Sequence, residues 1–431
     1  MEELGLSIIR DNSTLYNLNN QANEHILNIG IIFGGQSPEH EVSVITALQV
    51  VAALDGRRYR PIPIYIAKDG GWFTGNELLN LEAYKDLDTL TLISQQVHLQ
   101  KKPVGGVSLV ADVPKKWFGK QILHIPLDMM FIALHGGDGE NGGVQGICET
   151  YGIPYCGSGV LGSSLGMDKV ISKMVCRDQG IPIVPFVSFK EHEWANREDQ
   201  CLDECLKLGY PLIVKPARLG SSIGIARVEN RKELDAAIED AFRYDDKVVV
   251  EYAVPNLREI NCSVIGDVRN AKASVLEEPL TGEKLLSFQE KYMRNDGQQG
   301  AKGGGTKDAG TSSAGMASLD RVIPAPLSDE KTKEIQTLAV NVFQLFECAG
   351  LARIDFLMDS VTEEVYFNEI NTIPGSFSFY LWEPSGVPFP RLVHELIQMA
   401  FKRHKERSRF VRTYKTNLLA MRATGAKGTK A

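Results

Sequence analysis

The chain has 431 residues, of which 43% are apolar and 23% charged, with a formal net charge of −7. That length exceeds a single hydrophobic core and calls for two or three domains. The acidic balance argues against non-specific nucleic-acid binding as the main task, and no apolar run approaches the roughly 20 residues that span a bilayer. The opening stretch, MEELGLSIIRDNSTLY, lacks a basic region followed by an apolar one and does not read as a secretory signal. Seven cysteines are scattered as Cys148, Cys156, Cys176, Cys201, Cys205, Cys262 and Cys348 with no metal-ligand spacing to histidine. Reduced thiols in a cytoplasmic protein are expected.

Residues 1–25 are polar and asparagine-rich and read as an extension. Ile26–Phe33 then reads as a buried strand running into Gly34-Gly35-Gln36-Ser37-Pro38-Glu39-His40-Glu41, with helical spacing over Val42–Leu54. Strand, glycine turn and helix open a doubly wound α/β unit whose ligands bind beyond the strand ends, so Glu39 lies where a ligand group belongs. Arg58–Ala67 is a second strand, and Tyr84–Val104 is a surface-like region of no clear pattern. Met129–Leu134 is a third buried strand, ending in the glycine-rich run His135–Gly143 that includes Glu140. Such a run has few side chains to pack, which suits close backbone approach to a ligand. Val144–Tyr151 is helical, Ile153–Tyr155 a short strand, and Gly157–Lys173 a turn into a helix bearing Lys169.

Residues 181–187 read as a linker, Glu191–Gly209 as a helix, and Tyr210–Val214 as a strand delivering Lys215 to the loop Pro216–Ile225 with its Ser221 and Ser222. A lysine followed by a glycine-serine loop and a further strand resembles a phosphate flap: loop N–H groups cradle an anion and the lysine adds a point charge. No Gly-Lys-Ser/Thr opens a helix there, so it is not a Walker A loop. After a helix over Glu233–Tyr244, the strand Val248–Glu251 places Glu251 to Val254 where backbone groups face an adenine, and Glu259 on the next strand where it accepts from a ribose. Met293–Ser318 is almost free of large apolar residues and reads as a mobile surface loop. Ser328 caps an amphipathic helix to Ala349.

Leu351–Met358 and Val365–Asn371 form a hairpin over Asp359–Glu364. Side chains alternate in a strand, which puts Arg353 and Asp355 on one face of the first strand and Glu369 and Asn371 on one face of the second. Ile354, Phe356, Tyr366 and Ile370 fall on the opposite face, toward a core. Two carboxylates, an amide oxygen and a guanidinium suit Mg²⁺ bound to a polyphosphate; a solvated hairpin with a salt bridge is the plain alternative. Pro390–Arg403 is a helix, and residues 402–431 are a basic tail.

In order along the chain, GGQSPEHEVS, HGGDGENGGVQG, GSGVLGSSLGMDK, VKPARLGSSIGI, QEKY, RIDF and NEINTIPG resemble the D-alanine–D-alanine ligase family of the ATP-grasp superfamily, over about Asn28 to Ala400. The resemblance implies an α/β (α+β) ATP-grasp fold with an N-terminal doubly wound parallel-sheet domain. Expected boundaries are an extension at 1–25, an N-terminal α/β substrate domain at 26–158 and a central subdomain with the flap at 159–250. A C-terminal subdomain at 251–401 follows, with a lid loop 291–322, and then the tail at 402–431. It also implies ATP-dependent joining of two D-alanines for peptidoglycan precursors, through an acyl phosphate. Lys169, Lys215, Ser222, Glu251, Val254, Glu259 and Lys291 are then the ATP contacts. Asp355, Glu369 and Asn371 hold two Mg²⁺, with Mn²⁺ as the substitute. Glu39 takes the first substrate's ammonium and forms a latch with Ser221 and Tyr292, while Arg353 and the N–H of Gly375 hold the oxyanion. His135 and Glu140 lie near the second substrate. The implied partners are small amino acids, with no nucleic acid or membrane, and a homodimer is the family's usual state.

One departure stands out. The family commonly has a small hydroxyl residue about five positions after its conserved glycine, where it binds the second substrate's carboxylate. Counting from Gly375, this chain has Tyr380, with Ser376 and Ser378 as the nearby hydroxyls. Three readings follow: a D-alanine–D-alanine ligase, the same chemistry with a different second substrate, and a nucleotide-binding module without turnover.

Overall fold

The computed structural model describes residues 26–103, 105–114, 120–280 and 321–413. The expected contacts Lys291 and Tyr292 and the lid up to residue 320 lie outside them. The first strands are β1 (Leu27–Gly34), β2 (Tyr59–Ile66), β3 (Trp72–Thr74), β4 (Gln95–Gln96), β5 (His98–Lys101), β6 (Val107–Pro114), β7 (Lys120–Leu127) and β8 (Met129–Ile132). β1 is central and runs parallel to both β2 and β8, and β3 and β4 extend the sheet antiparallel at one edge. β1 and β8 carry near-continuous apolar runs because helices cover the parallel strands on both faces. The expected strand at Ile153–Tyr155 reduces to a single bridge from Tyr155 to Met130. β5, β6 and β7 form a separate antiparallel ribbon, which the sequence pattern did not disclose.

The next strands are β9 (Phe186–Lys190), β10 (Leu212–Pro216), β11 (Ala226–Val228) and β12 (Lys247–Tyr252), all antiparallel in the order β11-β10-β12-β9. The supposed linker at 181–187 thus runs into a strand, and Ile183 bridges Phe367. The last strands are β13 (Leu257–Gly266), β14 (Ala271–Pro279), β15 (Arg321–Val322), β16 (Gly350–Asp359) and β17 (Val365–Asn371), in the order β15-β14-β13-β16-β17. The helix Asp329–Leu345 lies on this sheet, and its cap Ser328 accepts from the Lys331 N–H as its sequence position predicts. These two antiparallel sheets carry Lys215, Glu251 and Glu369.

The final helix, Phe389–Arg407, does not belong to the core of the sheet it follows. Its Leu392, Leu396 and Ile397 join the core built from β1, β2 and β8. His394 Nδ1 sits 2.7 Å from the Tyr59 hydroxyl, 335 residues away in sequence. The helix also runs past 402, correcting the expected start of the tail: Arg403 donates to the carbonyls of Tyr155 and Gly157, and Arg407 pairs with Glu149. No described helix is long and apolar enough to cross a membrane, and all seven cysteines are free and buried.

Candidate active site

The hairpin β16–β17 pairs in the register that alternation predicts at its functional end, with Arg353 opposite Asn371 and Asp355 opposite Glu369. A bulge then shifts the register between Asp355 and Phe356. The extra residue reverses the alternation below it. Phe367, rather than Tyr366, enters the core beside Ile354, Phe356 and Ile370, while the Tyr366 hydroxyl donates to the exposed Glu364. The bulge also gives Asn368 a role that sequence reasoning missed: its Oδ1 accepts from Lys215 Nζ at 3.1 Å.

Across the sheet the same row continues. Asp355 faces Asn261 on β13, and Asn261 faces Glu277 on β14, so Glu369, Asp355, Asn261 and Glu277 lie side by side. At one end stand the lysines. Lys169 opens the helix Lys169–Asp178, capped by Asp168, and its ammonium lies 3.2 Å from Glu369 and 2.7 Å from the flap carbonyl of Leu219. Lys215 at the end of β10 lies 2.7 Å from Glu251 on β12. Lys173, one turn beyond Lys169, reaches the other Glu251 oxygen at 3.1 Å. Burial opposes both carboxylates' charge, yet the lysines prevail: Lys173 and Lys215 hold Glu251 down at about 2, and Lys169 and Lys215 hold Glu369 low. Glu259, half-buried on β13, adds to the field at Lys215. The backbone N–H groups of Tyr252 and Ala253 are taken by the carbonyls of Pro185 and Pro211, which leaves Val254 as the next residue along.

In the middle, Arg353 grips Asp355 as a fork, Nε and Nη2 each 2.7 Å from an oxygen, and Asn371 donates to the same carboxylate at 3.0 Å. Burial pushes the Asp355 carboxyl up, and Arg353 offsets that only in part. Among the described residues no three His, Cys, Asp or Glu gather as a metal group. Asp355, Glu369 and Asn371 instead offer two carboxylates and one amide, an oxygen-only set. That suits a hard cation which keeps phosphate and water oxygens in its shell.

At the far end, Glu277 is buried and fully engaged. It accepts from Asn261 at 3.0 Å, Arg321 at 2.6 Å and the Tyr380 hydroxyl at 3.3 Å. The Arg321 guanidinium lies 4.0 Å from the Tyr380 ring centroid. Burial, then Glu277, raises the Tyr380 hydroxyl's affinity for its proton. Tyr380 follows a left-handed turn at Ser376, Phe377 and Ser378, and both serines are buried, with no hydrogen-bond partner for the Ser378 hydroxyl among the described residues.

The glycine-rich run after β8 braces this turn. His135 Nδ1 lies 2.8 Å from the Ile373 carbonyl, which can only accept, so Nδ1 carries the proton. Nε2 then accepts from the Thr46 hydroxyl at 2.8 Å, and Thr46 in turn accepts from the Ser376 N–H at 3.2 Å. Burial pushes His135 down to about 4, keeping it neutral. Glu140 accepts from the N–H groups of Gly136 and Ile373, at 3.1 and 3.2 Å. Burial, then the Glu39 carboxylate, raises it to about 7. Gly375 begins the braced turn, half-buried. Thr46 had no mark in the sequence beyond its place on the first helix.

Glu39, at the start of the helix His40–Ala53, is where two loops converge. The Ser221 hydroxyl donates to it. A Cβ on Gly220 would stand 3.0 Å from its carboxylate, so both loops approach it closely, and Gly136, with φ +65° and a Cβ position 2.6 Å from the same carboxylate, favours glycine. Ser221 and Ser222 both have positive φ, 55° and 58°, an uncommon conformation for non-glycine residues. Of the predicted latch, Glu39 and Ser221 meet and Tyr292 lies outside the described residues.

Comparison with known proteins identifies relatives along most of the chain. Residues 28–158 match the family described as D-ala D-ala ligase N-terminus, and residues 175–303 and 306–398 match D-ala D-ala ligase C-terminus. The D-alanine–D-alanine ligase of Thermosipho melanesiensis is 37% identical over 398 residues, 92% of this chain and 99% of that protein. That of Natranaerobius thermophilus is 38% identical over 393 residues, 89% of this chain and 97% of its own. Among solved structures, the D-alanine–D-alanine ligase of Coxiella burnetii superposes with a TM-score of 0.70 at 28% identity, covering 94% of this chain and 100% of that one. The VanG D-Ala:D-Ser ligase of Enterococcus faecalis gives 0.69 at 29% identity, with 87% and 99% covered.

Proposed function

This chain belongs to the D-alanine–D-alanine ligase family, and we propose that it joins two D-alanines with ATP, through an acyl phosphate, to supply peptidoglycan precursors. The observation that carries the reading is the meeting of the hairpin acids with the flap lysines, seen in the 3.2 Å pair of Lys169 and Glu369.

In this reading Lys169 and Lys215 take the ATP phosphates, Ser222 lines the flap, Glu251 and Val254 present backbone to the adenine, and Glu259 accepts from the ribose. Asp355, Glu369 and Asn371 hold two Mg²⁺, which when bound neutralise phosphate charge and polarise the γ-phosphoryl group. Glu39 receives the first D-alanine's ammonium and thereby aims its carboxylate at the γ-phosphate. Arg353 and the Gly375 N–H stabilise the oxyanion that forms when the second amine attacks the acyl carbonyl. Neither His135 nor Glu140 is free to take the amine's proton, since each is engaged in bracing the turn that presents Gly375. Glu39 and Ser221 draw the flap over the site and exclude water from the acyl phosphate. Lys291 and Tyr292 belong to the same closure. The domain boundaries expected from the sequence, with the last one moved past Arg407, a cytoplasmic setting and a homodimer are parts of the same proposal.

Phosphate release with ATP, Mg²⁺ and D-alanine is expected to exceed a D-alanine-free control; equality of the two rejects the D-alanine assignment. A second reading, with another amino acid as acceptor, is favoured by the engagement of Tyr380 with Glu277 and Arg321, where the family has a small hydroxyl. Mass spectrometry of products from D-alanine plus a panel of D- and L-amino acids separates the two.

A further inference from the structure

Lys173 is a buried ammonium to which the proposed reaction gives no task. Its side chain is 0% exposed, its ammonium lies 3.1 Å from Glu251, and it donates to the Phe367 carbonyl at 3.3 Å. An ammonium in such a place gives up its hydration, and an apolar side chain of similar length would fill the same volume without that cost. Burial lowers its pKa despite Glu251.

What the charge does is visible in its neighbours. Lys169 pairs with Glu369, and Lys215 and Lys173 share Glu251. Among the directly paired groups three ammoniums meet two carboxylates, one positive charge in surplus, with Glu259 acting on Lys215 from further off. Were Lys173 neutral, Glu251 would be matched by Lys215 alone, and the cluster would have no net attraction for an anion. We propose that Lys173 is a positioning residue that occupies Glu251 and so leaves the charge of Lys215 available to a polyphosphate, without touching the nucleotide itself. The proposal rests on reading this site as the ATP site.

The test compares Lys173→Met with the double variant Lys173→Met/Glu251→Gln, which restores the surplus by removing one charge of each sign. ATP affinity of the full chain is measured by calorimetry with Mg²⁺, beside thermal melting. Lys173→Met is expected to weaken ATP about tenfold, the effect of roughly one pKa unit's worth of interaction, with KM for D-alanine unchanged. The double variant is expected to recover to within about threefold of wild type. A double variant as weak as the single, or weaker, means a packing role and overturns the proposal, as does a single variant that binds ATP like wild type. If Lys173→Met does not fold, the double variant against wild type decides alone: similar affinity supports the proposal and a loss beyond about tenfold overturns it. Absence of ATP binding by wild type itself would instead reject the ATP reading, and the proposal with it.

Discussion

The two ends of the polar row solve different recognition problems. At the β17 end, three buried lysines outnumber the two carboxylates they touch. From the middle of the row to the β14 end, guanidinium and carboxylate balance: Arg353 with Asp355 in the middle and Arg321 with Glu277 at the end, each pair locked at 2.6–2.7 Å. A lysine is a point charge on a mobile stem, suited to phosphates that shift during transfer, whereas arginine's planar fork fixes one geometry. The first end therefore carries ammonium groups in excess of its paired carboxylates, and the second does not.

That contrast can be broken in stages. Glu369→Ala removes the acid that joins the two ends, and we expect turnover to fall by at least about 10³-fold, read by phosphate release. The fold should persist, because Glu369 makes no core contact, while the melting temperature falls with the loss of its pair with the buried Lys169; normal turnover would contradict its metal assignment. Arg353→Lys keeps the charge but loses the fork, and kcat should drop about 10²-fold with ATP affinity held. An equal loss in ATP affinity would merge the two ends into one electrostatic unit.

Protonation probes the brace between them. His135 titrates near 4 when folded against an ordinary 6.5. Its stabilisation is therefore complete above 6.5 and lost as pH falls through 4, by roughly 3 kcal/mol. Urea unfolding between pH 7 and 4 should show this loss in wild type and not in His135→Gln; identical slopes would remove His135 from the account. The smallest effect should come from Tyr380→Phe, which deletes one hydrogen bond to Glu277. KM for the second D-alanine is expected to change about three- to tenfold, with that for ATP constant.

Much of this arrangement was legible in advance, and the misses have physical reasons. Period-two alternation placed Arg353, Asp355, Glu369 and Asn371 together because register at a half-buried strand end tolerates no slip. It misassigned Tyr366 because a bulge leaves no compositional mark, yet that bulge aims Asn368 at Lys215. Lys173 stands four residues after Lys169, on the same helix face, but a helical lysine is ordinarily solvated and nothing local reveals Glu251 beneath it. The β5–β7 ribbon escaped because its edges are polar and its alternation is weak.

The last helix lends its apolar face to the sheet that the first strands build, and Tyr59 meets His394 across nearly the whole chain. A polypeptide emerging from the ribosome therefore cannot complete its opening domain until its closing residues are made. During that interval the uncovered apolar face of that sheet needs shelter, and a chain truncated near residue 388 should aggregate rather than persist as a smaller folded unit.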